Sequence, residues 1–293
     1  MDWIDVLILG IVQGLAEYLP ISSSGHIEIF RQILGLDLPG EDALQLNVVL
    51  HVATVLSTIV VLWKQFMPLC RSFFTLRNDD NTRYVWKILL SCVPVGIIGI
   101  LFKSQVEQFF GVQEGGESNL TLIGICLCVT AALLTFAYLS DHRLKKIREK
   151  RGTAEKMVLT GRGRNITWYD ALIIGCSQAI AVLPGLSRSG TTIATGIIIG
   201  DRREEVAQFS FFMVVIPILG EALLDLKDML FESGASTAAP GTELGWLPLL
   251  IGFLASFVVG CLACNWMLSI VKKGKLYWFA IYCVIVGILC ICW

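Results

Sequence analysis

Six long apolar stretches in this 293-residue chain constrain its fold more than any other feature. A helix needs about 20 mostly apolar residues to cross a bilayer. The stretches run from Leu46 to Trp63, Val85 to Phe102, Leu120 to Leu139, Val206 to Leu224, Trp246 to Ile270 and Leu276 to Trp293. The composition agrees, because 55% of the residues are hydrophobic and only 16% are charged. The sequence therefore predicts an all-α integral membrane protein with six transmembrane helices.

Two further apolar stretches, residues 3–36 and 168–200, are each broken in the middle by proline, serine and glycine. The breaks read Pro20-Ile21-Ser22-Ser23-Ser24-Gly25 and Pro184-Gly185-Leu186-Ser187-Arg188-Ser189-Gly190. Such residues free backbone polar groups that hydrocarbon cannot satisfy, so the breaks must face protein or a water-filled cavity. We predict that each stretch forms a re-entrant helical hairpin.

Lysine and arginine collect in three connections, around residues 64–87, 143–164 and 272–275. Short cytoplasmic loops are enriched in these residues, so the pattern predicts the orientation of the spans. When six spans are arranged so that the basic connections are cytoplasmic, the first hairpin enters the membrane from outside the cell and the second enters from the cytoplasm. The net charge of −1 is segregated along the chain and gives no indication of nucleic-acid binding.

The two broken stretches are also related to each other, at a constant offset of 165 residues, as from Trp3 to Trp168. Identical pairs include Gln13 with Gln178 and the Ser-x-Ser-Gly that ends each break. Since three spans follow each hairpin, the second half enters the membrane upside down. This is an inverted-topology repeat, which places its site near the midplane, at discontinuous helices. The predicted organisation is a first repeat at 1–140, a basic cytoplasmic linker at 141–166 and a second repeat at 167–293, in one membrane domain.

At each break the chain restarts as a helix, and a helix N-terminus binds anions through free N–H groups and its positive dipole end. Two opposed hairpins would direct two such ends at one point. Simple capping explains a single serine, but two mirrored clusters exceed what capping needs. The candidate phosphate-binding residues are Gln13, Ser22, Ser24, Gly25, Ser187, Ser189 and Gly190.

Three charged or titratable side chains in or beside the breaks suggest chemistry. Arg188 is costly in an apolar hairpin unless it is paired or hydrated, and its planar fork fits phosphate oxygens. Glu17 could bind a divalent ion or act as a general acid or base. For both Glu17 and Arg188, the alternative is a purely structural ion pair between the two side chains. His26 could be a nucleophile, a general base, a phosphate donor or a packing residue. His51 is treated as a residue that lines a pocket or packs.

Two segments, Gln13-Gly14-Leu15-Ala16-Glu17-Tyr18-Leu19-Pro20-Ile21-Ser22-Ser23-Ser24-Gly25-His26 and Pro184-Gly185-Leu186-Ser187-Arg188-Ser189-Gly190-Thr191-Thr192, closely resemble known motifs. They are similar to the two signature motifs of bacterial undecaprenyl-diphosphate phosphatases of the bacitracin-resistance type. The first family motif reads Glu or Gln, three residues, then Glu, and this chain has Gln13 at the variable position. Glu17 is then its only acid there, so a second carboxylate for a metal must come from elsewhere or from the substrate.

The resemblance implies hydrolysis of undecaprenyl diphosphate to undecaprenyl phosphate and inorganic phosphate. This reaction recycles the lipid carrier for cell-wall synthesis and confers bacitracin resistance. The implied cofactor is a divalent cation, Mg²⁺ or Ca²⁺, with Glu17 as its candidate ligand. Glu17, Ser23, His26 and Arg188 are the implied catalytic residues, with Ser23 the candidate nucleophile and His26 its rival, and Thr192 joins the binding residues.

The expected partners are a polyprenyl diphosphate and membrane lipids, with no nucleic acid and a homodimer as a candidate assembly. The expected location is the bacterial cytoplasmic membrane, with the site toward the extracytoplasmic face. A polyprenyl-phosphate flippase or anion transporter is the alternative, because inverted repeats with broken helices are a transporter architecture. The surplus of hydroxyl groups beside Glu17 and Arg188 favours an enzyme.

Overall fold

The computed structural model describes residues 2–36, 40–75, 78–110, 119–150, 164–232 and 245–293. The predicted all-α fold is confirmed for these residues, whose only β-structure is an isolated bridge between Arg164 and Asp201. The middle of the predicted linker, 151–163, lies outside the described residues. The helices are α1 (Trp3–Ala16), α2 (Ser23–Ile33), α3 (Gly40–Val61), α4 (Trp63–Phe74), α5 (Asp80–Phe110), α6 (Leu120–Lys150), α7 (Trp168–Ile180), α8 (Arg188–Ile198), α9 (Arg203–Glu232), α10 (Trp246–Lys273) and α11 (Tyr277–Cys292).

Five helices in the described part of the chain are long and apolar enough to cross a membrane, namely α3, α5, α6, α9 and α10. They correspond to the first five predicted spans, and their length and apolar character are compatible with a multi-pass membrane protein. The sixth predicted span coincides with α11. This helix has 16 residues, fewer than the about 20 that a helix needs to cross a bilayer. Its membrane crossing therefore stays a prediction.

One helix, α4, was not anticipated from the sequence. The apolar run of α3 ends at Val61, and the chain turns at Leu62 with φ −97° and ψ 20°. After that turn, Phe66 and Leu69 face the protein while Lys64 is exposed. An amphipathic helix of this kind buries one face and keeps its charges in water. The basic connection after the first full span is thus largely helical rather than an open loop.

Both Ser/Gly breaks interrupt helices, as predicted, and each break joins two helices that pack side by side. In the first pair, Val6 of α1 and Phe30 of α2 belong to the same apolar cluster. In the second pair, the Arg202 N–H donates to the Arg164 carbonyl at 3.0 Å, so the end of α8 returns to the start of α7. Each pair is a helical hairpin whose tip carries the serines.

The two tips touch each other inside the bundle. A Cβ on Gly25 would lie 3.1 Å from the Cα of Gly185, and one on Gly190 would lie 3.2 Å from Pro20 Cβ. The Ser189 hydroxyl donates to the Leu19 carbonyl at 3.1 Å. Residues from both breaks therefore share one location, which is the condition for a single site made from both halves.

Each hairpin is held against the rest of the bundle by small residues. A Cβ on Gly10 of α1 would lie 2.6 Å from the Gly252 carbonyl oxygen of α10. In the second half, Gly175 of α7 packs directly on the Ser91 backbone of α5. Gly10 and Gly175 are partners at the 165-residue offset, so the same packing device recurs in both halves. Close approach of helix backbones at glycine is typical of membrane helix packing.

We expect Gly175→Ala to destabilise the protein by about 1–3 kcal/mol, because the added methyl overlaps the Ser91 backbone and overpacking costs that much. Gly96→Ala on α5 is the matched control, since a Cβ there meets no atom within 4 Å. The control should be neutral or stabilise by about 0.5–1 kcal/mol. Thermal unfolding in detergent checks both variants. Equal midpoints for Gly175→Ala and the wild type would contradict the close approach of α7 to α5.

The basic connections meet at one end of the bundle. Lys272 Nζ lies 2.6 Å from Glu204 Oε1, and Arg203 pairs with Asp141. On the same side, Lys87 Nζ donates to the Ile166 carbonyl at 2.7 Å. Charges from four separate parts of the chain thus collect together, and we call this region the basic end.

Asp201 is a buried carboxyl at the basic end, immediately before α9. Its side chain is fully buried, and Arg164 Nε lies 3.4 Å from Oδ1. Burial and the neighbouring Asp170 charge raise the pKa of Asp201 to about 7, against the lowering effect of Arg164. The folded protein therefore binds a proton at Asp201 more readily than the unfolded chain does.

The stability should consequently fall as the pH rises from about 4, the ordinary pKa of aspartate, to about 7, and level off above that. The slope from this one group should be at most about 1.4 kcal/mol per pH unit. Denaturant unfolding at pH 5 and pH 8, in the wild type and in Asp201→Asn, isolates the effect. The difference in stability between the two pH values should shrink in the variant. An unchanged difference would contradict the raised pKa.

Candidate functional site

Glu17 lies at the centre of the candidate site, at the end of α1 where the first break begins. Its side chain is only 6% exposed. Oε2 accepts hydrogen bonds from Gln13 Nε2 at 3.1 Å and from Ser23 Oγ at 2.8 Å. Oε1 accepts from Nη2 of Arg188 at 3.4 Å. One carboxylate therefore links α1, the start of α2 and the start of α8.

Ser23 is the first residue of α2, and its hydroxyl points at Glu17. The 2.8 Å contact lies within the range that joins a nucleophile to its general base. Ser22, just before it, caps the helix, since its Oγ accepts from the Gly25 N–H at 3.3 Å. The φ of Ser22 is +72°, a left-handed conformation that costs a non-glycine residue of order 1–3 kcal/mol. Strain of this kind clusters at functional sites, where the surrounding structure maintains it.

The second break repeats the capping hydrogen bond with different chemistry, and Ser187 has an extended backbone, with φ −69° and ψ 117°, where Ser22 is left-handed. Ser187 caps α8, since its Oγ accepts from the Gly190 N–H at 3.0 Å. Arg188 then occupies the position of Ser23, and its half-buried guanidinium reaches across to Glu17. The ion pair that the sequence left open as an alternative is present. A guanidinium has five N–H donors, so one contact at 3.4 Å leaves capacity for a ligand.

His26 is held at both ring nitrogens. Nδ1 lies 2.8 Å from the Ser22 carbonyl oxygen, and Nε2 lies 2.8 Å from the Tyr282 hydroxyl. A carbonyl only accepts, so Nδ1 carries a hydrogen and Nε2 accepts from Tyr282 in neutral His26. The ring is 4% exposed and stacks on Tyr282 at 5.6 Å. This arrangement favours a positioning role for His26, directly behind the strained backbone of Ser22.

Two cavities adjoin Glu17 and its partners. The larger has about 140 Å³ of space for the centres of water-sized molecules, and Gln13 and His51 form its inner wall. Its other polar lining residues are Ser24, Glu28, Arg31 and Asn47. The smaller cavity has about 20 Å³ of such space and is lined by Glu17 and Arg188. Its other polar lining residues include Gln178, Ser189, Thr192 and Ser210.

The structure brings most of the sequence-predicted residues to this region, with different degrees of access. Ser23 and Arg188 both contact Glu17, whereas Ser187 and Gly190 are occupied in capping α8. The Thr192 hydroxyl donates to the Arg188 carbonyl at 2.9 Å and lies 2.5 Å from Ser210 Oγ. Thr192 thus supports Arg188 as well as lining the smaller cavity.

Three residues near the site were not assigned a catalytic or substrate-binding role from the sequence. Tyr282 comes from the last helix, and no motif marks it. Gln178 was noted only as the repeat partner of Gln13. His51 was treated as a lining or packing residue, and its Nε2 lies 3.9 Å from Glu17 Oε2. Its apolar helical context gave no signal beyond its residue type.

The donor set around Glu17 accommodates a divalent cation only with help from a ligand. Among the described residues, no three His, Cys, Asp or Glu side chains come together in a way that could hold a metal ion. Mg²⁺ is commonly bound through one or two carboxylates plus substrate phosphates. Glu17 supplies one such carboxylate.

The helical membrane fold and this site define a class: a multi-pass membrane protein in which a serine, a carboxylate and a guanidinium meet at two helix N-termini, an arrangement suited to phosphate. The chain matches the family described as Bacitracin resistance protein BacA over residues 6–289. This protein belongs to that family.

Several curated relatives are similar over almost their whole length. An undecaprenyl-diphosphatase of Bacteroides fragilis is 49% identical over 291 residues, covering 99% of this chain and 98% of the relative. That of Parabacteroides distasonis is 48% identical with the same coverage. An undecaprenyl-diphosphatase of Oceanobacillus iheyensis is 32% identical, covering 96% of this chain and 93% of the relative.

Proposed function

We propose that this protein hydrolyses undecaprenyl diphosphate to undecaprenyl phosphate and inorganic phosphate in the bacterial cytoplasmic membrane, recycling the lipid carrier and conferring bacitracin resistance. Membership of the BacA family and the names of its relatives support this activity. The observation that carries it is the 2.8 Å hydrogen bond from Ser23 to Glu17, with Arg188 on the other carboxylate oxygen.

In the proposed reaction, the terminal phosphate of the substrate binds at the N-termini of α2 and α8, against Arg188. Ser23 Oγ attacks the terminal phosphorus and passes its proton to Glu17, while the bond from phosphorus to the bridging oxygen breaks. Undecaprenyl phosphate leaves and takes the proton from Glu17, which restores the carboxylate. Water then attacks the phosphoserine, and the bond from phosphorus to Oγ breaks, which releases phosphate and restores Ser23. Arg188 and the helix N-termini stabilise the negative charge throughout.

His26 in this scheme is a positioning residue. Its hydrogen bond to the Ser22 carbonyl holds the left-handed turn that directs Ser23 at Glu17. Tyr282 completes the arrangement by fixing the other ring nitrogen. Ser23 is therefore the proposed nucleophile, in preference to His26.

A divalent cation, Mg²⁺ or Ca²⁺, is part of the proposal, held by Glu17 together with oxygens of the diphosphate. When bound, it would neutralise phosphate charge as a Lewis acid. Gln13 donates to Glu17 at 3.1 Å and so fixes the carboxylate that the cation would share.

The proposed architecture has six spans and two re-entrant hairpins in an inverted repeat. In its support, the partners Ser22 and Ser187 cap α2 and α8 in the same way, and Gly10 and Gly175 make equivalent close contacts. The larger cavity opens beside the start of α3, whereas α3 ends next to the basic residues of α4. With the basic end in the cytoplasm, this cavity faces the extracytoplasmic side, where we place substrate access. The homodimer stays a prediction.

Phosphate release from undecaprenyl diphosphate by the purified protein in detergent, with Mg²⁺ or Ca²⁺, tests the proposed activity. We expect steady turnover that a chelator stops. Absence of phosphate release, together with movement of polyprenyl phosphate between the leaflets of liposomes, would overturn the proposal in favour of the transporter alternative.

A further inference from the structure

Gln178 is a buried polar side chain whose amide has no hydrogen-bond partner in the part of the chain that the structure describes. It is 1% exposed, and neither its amide nitrogen nor its amide oxygen has a hydrogen-bond partner among the residues that the structure describes. An amide buried in this way is destabilising unless a ligand or water satisfies it. Gln178 lines the smaller cavity, so a molecule bound in that cavity is the most direct candidate for the missing partner.

The sequence repeat explains why the Gln178 amide has no partner on its own helix. Its repeat partner, Gln13, donates to Glu17 four residues later on the same helix face. The residue four positions after Gln178 is Val182, which cannot accept a hydrogen bond. The second half has thus kept the glutamine and lost the carboxylate, so that the amide is available to a molecule in the cavity.

The size of the smaller cavity limits what that molecule can be. About 20 Å³ of space accommodates one or two waters, since a single water needs roughly 10–15 Å³. The wall also includes Glu17 and Arg188, so a water in this cavity lies beside the proposed general base and the proposed phosphate-binding guanidinium.

We propose that the smaller cavity binds the water consumed in hydrolysis and that Gln178 orients it. This inference rests on the proposed function and names the site of its second substrate. The Gln178 amide directs the water oxygen at phosphorus. As the new bond from oxygen to phosphorus forms and the bond from Ser23 Oγ to phosphorus breaks, the water proton passes to Glu17, and Glu17 delivers it to Ser23 Oγ. The larger cavity, on the Gln13 side, receives the lipid diphosphate.

Competition between water and methanol tests the assignment. With undecaprenyl diphosphate in 10% methanol, transfer to water gives phosphate and transfer to methanol gives methyl phosphate. The wild-type cavity should admit water in strong preference to methanol. Gln178→Ala removes the amide and widens the cavity, so the fraction of methyl phosphate should rise at least about 10-fold. This product ratio does not depend on how much of the variant is correctly folded.

Asn265→Ala is the matched control, because it removes an exposed amide that donates within α10, to the Cys261 carbonyl at 3.0 Å, and should leave the product ratio unchanged. Gln178→Leu keeps the bulk of the side chain but removes the amide. Its kcat should fall about 100-fold, the loss expected when a reactant is misplaced, and its KM should be unchanged. A wild-type protein that releases no phosphate would reject the proposed function itself. An active wild type, with the same product ratio and kcat in the Gln178 variants, would overturn only the water site.

Discussion

Ser23→Ala should reduce phosphate release from undecaprenyl diphosphate by about 10³-fold or more, because it removes the proposed nucleophile. Glu17→Gln keeps the shape of the side chain but cannot accept the Ser23 proton, so activity should fall about 10²–10⁴-fold. The two losses should not add in the double variant, since both residues serve the same step. Initial rates of phosphate release, measured in detergent across a range of protein concentrations, check all three variants.

Ser177→Ala is a suitable control for the loss of a hydroxyl. Ser177 lies on α7, and its hydroxyl donates only within the helix, to the Ile174 carbonyl at 2.7 Å. Acid quenching with substrate labelled in its terminal phosphate should trap the label on Ser23 in the wild type. It should still do so, at a lower rate, in His26→Gln. Full activity in Ser23→Ala, or label on His26, would reverse the assignment of the nucleophile.

The sequence predicted the parts of this fold that depend on composition and local pattern. Apolar runs located five helices of spanning length, and proline, serine and glycine located both hairpin tips. The structure differs from the prediction at α4, an additional helix that begins where the apolar run ends and the sequence becomes amphipathic. Hydropathy averaged over a span does not detect a turn at a single residue such as Leu62. The shortness of α11 likewise reflects where the helix begins, at Tyr277, rather than its apolar character.

The candidate site was predictable to the extent that its residues lie in the two breaks. Glu17 and Arg188 were identifiable because charge is costly in apolar surroundings. The contact between Glu17 and Arg188 depends on how the two hairpin tips meet. The meeting of the tips depends in turn on close packing at glycines that are far apart in the sequence. The Tyr282 contact with His26 joins residues 256 positions apart. No local pattern encodes such a contact, and the missing partner of Gln178 is visible only once its neighbours are placed.

Arg188→Lys should lower phosphate release by roughly 100-fold, because a lysine provides a point charge without the planar fork that fits phosphate oxygens. Arg188→Ala should lower it by roughly 10³-fold or more, the range seen when a guanidinium that stabilises a transferring phosphoryl group is removed. The KM should rise as well, since the same guanidinium binds the ground-state diphosphate. Initial rates at several substrate concentrations measure both effects, and Arg71→Lys, on the exposed face of α4, should leave them unchanged.

The alternative, a purely structural pair between Arg188 and Glu17, makes a different prediction. Removing one partner of a buried pair leaves an uncompensated charge and costs about 3–5 kcal/mol, whereas removing both restores much of the stability. Arg188→Met with Glu17→Gln should therefore unfold at a higher temperature than Arg188→Met alone. If the pair were only structural, this stabilised double variant would also recover phosphate release. Because both side chains take part in the proposed reaction, we expect recovered stability without recovered activity, and that separation distinguishes a catalytic pair from a structural one.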